Sequence, residues 1–148
     1  MISTNNIAKA ETAIDASPEK VWNALTDPDM IKKYMFGATA RSEWKEGSKI
    51  TWEGEWEGKH YEDKGKILNL EPGIQLQFSH FSPLQGLADV PENYHIVTID
   101  LKEEDKKTIV TLTQDNNADE KTKEYSERNW KMMLRSLKNL LEKNNQMS

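Results

Sequence analysis

The longest periodic stretch of the chain lies near its C-terminal end, where residues 119–143 read DEKTKEYSERNWKMMLRSLKNLLEK. Apolar side chains recur there at spacings of three and four residues, which places them on one face of a helix. This face carries Trp130, Met133, Leu134, Leu137, Leu140 and Leu141. The opposite side carries Lys131, Arg135, Lys138, Glu142 and Lys143. A helix of about 25 residues is roughly 37 Å long and needs a broad surface under its apolar face.

The chain before this helix predicts a sheet that supplies such a surface. Residues 50–56 alternate Ile50, Trp52, Gly54 and Trp56 with polar neighbours, which is the two-residue period of a β-strand. Further strands are predicted at residues 7–14, 36–44, 59–70, 74–79, 97–101 and 110–112. In the strand over 36–44, Phe36 and Trp44 are expected on one apolar face. The last two strands are expected to turn through residues 103–105.

Two short helices are predicted between the first two strands. Ser17 and Asp27 are each followed by a proline, so each provides a capping side chain with proline in the first turn. The resulting order is a strand, two short helices, an antiparallel meander and a long helix. This order predicts an α+β fold in a single domain over residues 1–148.

Composition and charge exclude several classes of function. The chain has no cysteine, which removes disulfides, thiolate metal sites and cysteine nucleophiles. Its net charge of -5 and the mixing of lysines with acidic residues leave no basic face for nucleic acid. The first residues lack the basic segment and apolar core of a signal peptide, and no apolar run is long enough to span a membrane. We therefore expect a cytoplasmic protein.

Several local motifs, taken in order, resemble one family. Residues 16–28 read ASPEKVWNALTDP, residues 65–72 read GKILNLEP, and the final hairpin reads VTIDL at 97–101 and TIVTLTQ at 108–114. Over residues 7–143 the chain resembles the homologues of the activator of the 90-kDa heat-shock-protein ATPase, within the START and birch-pollen-allergen-like (SRPBCC) superfamily. The resemblance implies a helix-grip fold, in which a curved antiparallel sheet wraps around a long C-terminal helix and leaves a cavity. It leaves function open, because the superfamily includes lipid carriers, cyclases, hormone receptors and chaperone activators.

Large apolar side chains on the predicted inner faces are the candidates to line such a cavity. An aromatic side chain there either lines a pocket or fills the core, and both readings stay open. The ligand-cavity candidates are Tyr34, Phe36, Trp44, Trp52, Leu76, Phe78, Phe81, Val97, Ile99, Trp130 and Leu134. Trp22 is expected to pack between the first helix and the sheet.

An unusually apolar loop, FSPLQGLADVP, is predicted at residues 81–91. It is a lid over the cavity mouth, a fixed cover on the core or a dimer contact. Of these we favour the fixed cover, with Phe81, Leu84, Leu87 and Val90 folded onto the core.

Polar residues suited to chemistry are sparse on the predicted inner faces. His60, His80 and His95 fall in different strands without the spacing of metal ligands, so neither a metal nor a cofactor is expected. A carboxylate-rich stretch is expected to point mostly outward by alternation: Glu53, Glu55, Glu57, Glu62 and Asp63. Tyr61, His80 and Arg41 remain as inner-face candidates, and no catalytic residue is assigned.

The function predicted first is non-enzymatic binding of a small apolar or amphipathic molecule between the C-terminal helix and the sheet. The first alternative is a chaperone-associated interaction module like the activators of the resembled family, with a chaperone as partner. The second is a polyketide cyclase-like enzyme, which needs a polar pair facing the cavity. We expect a monomer or a weak dimer, with no nucleic-acid partner and no membrane span.

Overall fold

The computed structural model describes residues 6–83 and 86–146. The elements in chain order are β1 (Ala8–Ile14), α1 (Pro18–Thr26), α2 (Pro28–Tyr34), β2 (Thr39–Ser42), β3 (Lys49–Trp56), β4 (Lys59–Glu71), β5 (Gln75–His80), β6 (His95–Glu104), β7 (Lys107–Gln114) and α3 (Glu120–Gln146). This order confirms the α+β helix-grip fold predicted from the sequence.

All the strands form one antiparallel sheet in the order β1-β7-β6-β5-β4-β3-β2. The first strand therefore pairs with the last one, and α1 and α2 carry the chain from one edge of the sheet to the other. In α1, the Ser17 side chain accepts a hydrogen bond from the Lys20 N–H, and in α2 the Asp27 side chain accepts one from the Asp29 N–H. The serine and aspartate caps predicted from the sequence thus hold the helix starts.

The middle of β4 comes unusually close to β5. A Cβ atom added at Gly65 would lie 1.7 Å from the Ser79 carbonyl oxygen, which no side-chain-bearing residue tolerates. The register of the β4–β5 pair then shifts between Ile67 and Asn69. This irregularity changes how the side chains before and after it meet the neighbouring strand.

Helix α3 packs against the inner face of the sheet through the apolar face predicted for it. Its buried side chains are Met133, Leu134, Leu137 and Leu141, and Leu137 is 0% exposed. Asp119 caps its first turn by accepting a hydrogen bond from the Thr122 N–H at 2.8 Å. On the β1 side, Lys138 Nζ donates to the Ala13 carbonyl oxygen at 2.7 Å, so polar contacts fix the helix along the sheet edge.

The predicted strand over residues 36–44 is wrong at both ends, since only Thr39–Ser42 is a strand. Phe36 and Trp44 lie outside it with left-handed backbone, at φ values of 56° and 55°. The Gly37 N–H bonds the Lys32 carbonyl oxygen as α2 ends, and the Trp44 N–H bonds Ser42 Oγ. These local hydrogen bonds replace the strand ladder at both places, so the two-residue alternation does not apply there.

The loop after β5 also differs from its prediction. Phe81 is buried and stacks on Tyr94 at a ring-centroid distance of 5.1 Å. Leu87 and Val90 are 53% and 38% exposed, so the fixed cover is wrong for them. Leu84 lies outside the described residues.

The turn between β6 and β7 falls slightly later than predicted. It is made by Asp105 and Lys106, whose φ values of 51° and 66° are both positive. This is the conformation of a two-residue hairpin turn that matches the strand twist.

Replacing Leu137 by aspartate should sever the docking of α3. Leu137→Asp places a charge at a fully buried position and loses its apolar contacts, a cost of about 2–5 kcal/mol or more. Urea unfolding followed by circular dichroism measures the effect. Asn139→Asp, on the exposed side of the same helix, is the control and should change stability by less than about 0.5 kcal/mol. Equal midpoints for Leu137→Asp and the wild type would show that α3 is not held by this face.

Candidate functional site

A pocket of about 410 Å³ lies between the sheet and the first half of α3. Strands β3 to β7 form its floor, and the side chains of α3 from Thr122 to Met133 form its roof. Leu25 of α1, α2 and the turn after it close one end. The helix-grip resemblance implies a ligand cavity between these elements, and that role for the pocket stays a prediction.

Most of the ligand-cavity candidates named from the sequence are brought together in the walls of this pocket. They are Tyr34, Phe36, Trp44, Trp52, Leu76, Phe78, Ile99 and Trp130. Val97 and Leu134 are instead buried in the core at 0% and 1% exposure, and Phe81 packs against Tyr94. A role for the lining residues in ligand contact stays a prediction.

Trp52 stands at the boundary between the apolar and polar parts of the floor. Its ring centroid is 5.1 Å from that of Phe78 and 5.2 Å from that of His80. Phe78 and His80 occupy alternate positions of β5 and therefore share the inner face of the sheet. The lining changes from aromatic carbon to imidazole over these two positions.

Trp130 walls the pocket with its ring while its N–H is engaged elsewhere. Its Nε1 donates to Gln114 Oε1 at 2.5 Å, which ties α3 to the end of β7. Asn117 Oδ1 accepts hydrogen bonds from Ser126 Oγ at 3.0 Å and from Gln114 Nε2 at 3.4 Å. These bonds hold the first half of α3 over the sheet without filling the space beneath it.

A cluster of polar side chains forms one part of the pocket floor, across β4, β5 and β6. Asp63 Oδ2 and His80 Nε2 are 2.9 Å apart. His80 is directly paired with His95 in the β5–β6 register, and the two rings are 6.4 Å apart. His95 Nδ1 is 2.8 Å from the Asp115 carbonyl oxygen. The lining is therefore not wholly apolar.

This cluster does not follow from the sequence pattern when the histidines are taken singly and carboxylates such as Asp63 are expected mostly on the outer side of the sheet. The alternation that places Tyr61 inward also places Asp63, Gly65 and Ile67 on the same face, and Ile67 is fully buried. The inward position of Asp63 therefore follows from that of Ile67, which lies four residues later on the same face of β4. Among the inner-face candidates, the prediction is wrong for Arg41, which is exposed. His60, with its side chain 63% exposed, lies 4.0 Å from Glu53 at the surface.

Two polar atoms of the cluster are buried without a hydrogen bond from the described residues. They are Asp63 Oδ1 and His80 Nδ1. Their parent side chains are 15% and 19% exposed. Buried polar atoms in folded proteins nearly always have a partner in protein, water or ligand, so this pair marks a place with unmet hydrogen-bonding capacity.

The electrostatics of the pocket follow from burial and from the Asp63 carboxylate. Burial raises the pKa of Tyr61, and the nearby charge of Asp63 raises it further. Burial lowers the pKa of His95, the hydrogen bond to the Asp115 carbonyl opposes this shift, and the neighbouring His80 adds to it. Tyr34 has a raised pKa through burial and through Asp27, and its hydroxyl donates to the Ala24 carbonyl oxygen at 3.0 Å. Tyr34 is therefore uncharged and links α2 to α1 through this hydrogen bond.

Within the described ranges, no group of three or more histidine and carboxylate side chains is placed to hold a metal ion. The helices in these ranges include none that is long and apolar enough to cross a membrane.

Known proteins share this architecture. The family of Activator of Hsp90 ATPase homolog 1-like proteins matches residues 15–142, which confirms the resemblance inferred from the motifs. ChR145 from Cytophaga hutchinsonii, solved in solution, is 54% identical over 99% of both chains with a TM-score of 0.83. No functionally curated protein matches the chain.

Two other solved structures share the fold at lower identity. The protein MLL2253 from Mesorhizobium loti is 21% identical over 93% of this chain and 97% of its own, with a TM-score of 0.75. The Aha1 dimer from Colwellia psychrerythraea is 23% identical over 90% of this chain and 93% of its own, with a TM-score of 0.70. At these identities the likeness extends to the fold alone.

Acidification should weaken the fold through His95. Its pKa in the folded protein lies below the ordinary value of 6.5, so between these two values the unfolded chain binds a proton that the folded chain does not. Stability should therefore fall as the pH drops below about 6.5 and level off below the folded pKa. Urea midpoints between pH 7.5 and pH 5, on the order of six conditions, measure this slope.

Two histidine variants assign the pH dependence to a residue. His95→Asn keeps an N–H that can reach the Asp115 carbonyl and should flatten the slope. His60→Asn, on the surface, should leave it unchanged. A His95→Asn protein with the wild-type slope would show that other groups cause it.

Proposed function

The chain belongs to the family of Activator of Hsp90 ATPase homolog 1-like proteins, and from that premise we propose that it binds a small amphipathic molecule, without converting it, in the pocket between α3 and the sheet. The observation that carries this proposal is a pocket of about 410 Å³ that joins an aromatic wall to a partly buried polar cluster. Ligand sites in proteins typically have volumes of about 300–1,000 Å³, mostly apolar walls and a few placed polar groups.

The apolar wall offers contact area for the body of the ligand. Trp44, Trp52, Phe78 and Met133 contribute large or flexible apolar side chains from different elements. Burying about 300 Å² of apolar ligand surface would gain roughly 7 kcal/mol. Association itself costs at least about 4 kcal/mol, which leaves roughly 3 kcal/mol and a dissociation constant weaker than about 1 mM. Apolar contact alone is therefore insufficient, and polar contacts must supply the rest.

The polar cluster is placed to supply those contacts at one end of the molecule. Asp63 and His80 lie on the neighbouring strands β4 and β5, whereas Leu76 and Ile99 lie further along the same sheet. A ligand with one polar group would orient that group towards the cluster and its apolar body towards the tryptophans. Phe36, Tyr125 and Met132 line the pocket and are 52%, 53% and 44% exposed, so they mark its mouth.

Filling the pocket from α3 should abolish binding while the fold is kept. Asn129 is partly buried and lines the pocket, so Asn129→Trp puts an indole into the ligand space. The dissociation constant of N-phenylnaphthylamine, a neutral fluorescent apolar dye, should rise by about tenfold or more, which corresponds to about 1.4 kcal/mol. Fluorescence titration measures this change.

The matched control is Arg128→Trp, at the neighbouring exposed position of the same helix. It adds the same indole on the outside and should leave dye affinity within about twofold of the wild type. A wild-type protein that binds no dye, or equal affinity in both variants, would refute binding in this pocket.

A second candidate function is general-base catalysis, which the Asp63–His80 pair specifically favours. A carboxylate that orients one imidazole nitrogen leaves the other free to take a proton, and both side chains line a pocket. This arrangement meets the requirement stated for a cyclase-like enzyme, a polar pair facing the cavity. The chaperone-associated alternative and the cytoplasmic location stay predictions, the former resting on the family description.

Proton abstraction next to a carbonyl tests this second candidate. In D₂O, a small ketone such as cyclohexanone should gain deuterium about 100-fold faster with the protein than in matched buffer, as measured by mass spectrometry. His80→Gln removes the base and should return the exchange to the buffer rate. Exchange at the buffer rate with wild-type protein would leave simple binding as the function.

A further inference from the structure

The hydrogen bond between Asp63 and His80 fixes which atoms of the pair can accept a proton donor. A carboxylate only accepts, so His80 Nε2 carries the hydrogen and donates to Asp63 Oδ2 over 2.9 Å. In the neutral ring His80 Nδ1 then has a lone pair, and so has Asp63 Oδ1. Both atoms are buried and receive no hydrogen bond from the described part of the chain. With the His80 ring neutral, the pair presents two acceptors and no donor.

His95 adds a third acceptor beside them. Its Nδ1 lies 2.8 Å from the Asp115 carbonyl oxygen, which only accepts, so Nδ1 carries the hydrogen of the neutral ring. His95 Nε2 is then the acceptor. Burial lowers the pKa of His95, which favours this neutral ring at neutral pH. His95 faces His80 directly across the β5–β6 pair, so the acceptors are close together.

The charges of the residues that line the pocket disfavour an anionic ligand. Asp63 contributes a negative charge, and the described residues that line the pocket include neither lysine nor arginine. Lys64, the next residue along β4, instead pairs with Asp89 and lines a different depression of the surface. The neutral donors of the lining, among them Tyr61, Ser82 and Asn129, carry no charge that would balance an anion. A ligand carboxylate would therefore bring a second negative charge beside Asp63, which is disfavoured.

We propose that this polar cluster, Asp63, His80 and His95, selects ligands whose polar group donates hydrogen bonds, namely alcohols, phenols, amines or amides, and rejects carboxylates. A hydroxyl or amino group satisfies the buried acceptors, whereas a carboxylate brings more acceptors and a like charge. The inference rests on the proposed binding function and specifies its ligand class. With this selectivity, the pocket would differ from that of a fatty-acid carrier, which binds carboxylates.

A matched series of ligands with ten-carbon chains tests the selectivity. Decan-1-ol, decylamine and decanoate share the apolar chain and differ in the polar group. Each is titrated against bound N-phenylnaphthylamine at neutral pH, below the critical micelle concentration. The alcohol and the amine should displace the dye at concentrations at least about tenfold lower than decanoate, a difference of about 1.4 kcal/mol.

A pair of variants assigns the selectivity to the cluster. Asp63→Asn removes the charge and replaces one acceptor oxygen with an N–H₂ donor of the same shape, so the disadvantage of decanoate should shrink by about tenfold. Glu62→Gln makes the same change at the neighbouring exposed position of β4 and should leave the selectivity unchanged. Circular dichroism of both variants checks that they are folded.

Nitrogen-15 NMR of the wild-type histidines gives a readout without mutation. Decan-1-ol should shift the Nδ1 resonance of His80 towards that of a hydrogen-bonded acceptor, while the resonances of the exposed His60 stay in place. An unshifted His80 with decan-1-ol bound would overturn the inference.

The results of these titrations distinguish the ligand selectivity from the binding function itself. Equal displacement by all three ligands, or tightest binding of decanoate, would overturn the selectivity and leave the binding function standing. Failure of the dye and of all three ligands to bind would overturn both.

Discussion

The structure depends on a change of composition along one face of α3. From Met133 onwards this face is apolar and docks on the sheet, with Leu134 and Leu137 almost fully buried. One to two turns earlier the same face carries Asn129 and Ser126, which are too small and too polar to fill the space beneath them. The second half of the helix therefore anchors it, and the first half spans a gap. The Trp130–Gln114 hydrogen bond holds that first half at its distance from the sheet.

The polar cluster costs the fold stability and is supported by the strands around it. Two buried acceptors without donors are each destabilising by roughly 1–3 kcal/mol, a large fraction of the stability of a small domain. A core built only for packing would carry apolar side chains at Asp63 and His80, between Trp52 and His95. Unmet hydrogen bonding next to a pocket is instead expected where a ligand supplies the missing partner.

The sequence predicted those parts of the fold that are governed by local periodicity. The α3 face, the capped starts of α1 and α2 and most strands follow from spacing and capping chemistry alone. The strand prediction fails at Phe36 and Trp44 because the backbone is left-handed there and local hydrogen bonds replace the strand ladder. The Asp63–His80 contact cannot be predicted from the sequence for another reason. It joins two strands whose register depends on the close approach at Gly65 and the irregularity after it, which only the assembled sheet defines.

Binding and catalysis place different demands on the same nitrogen atom. His80 Nδ1 holds a ligand when it meets an O–H or N–H whose proton it cannot remove, and it acts as a base when it meets a carbon acid beside a carbonyl. Catalysis would also require a donor to stabilise the oxygen that becomes negative. The cluster consists of acceptors, and the adjacent Asp63 charge opposes a developing anion. Tyr61 is the lining hydroxyl nearest in sequence to Asp63, and burial together with the Asp63 charge raises its pKa, which weakens it as a proton donor. The arrangement of charge therefore favours holding a donor group over stabilising an enolate, and binding is the function it supports better.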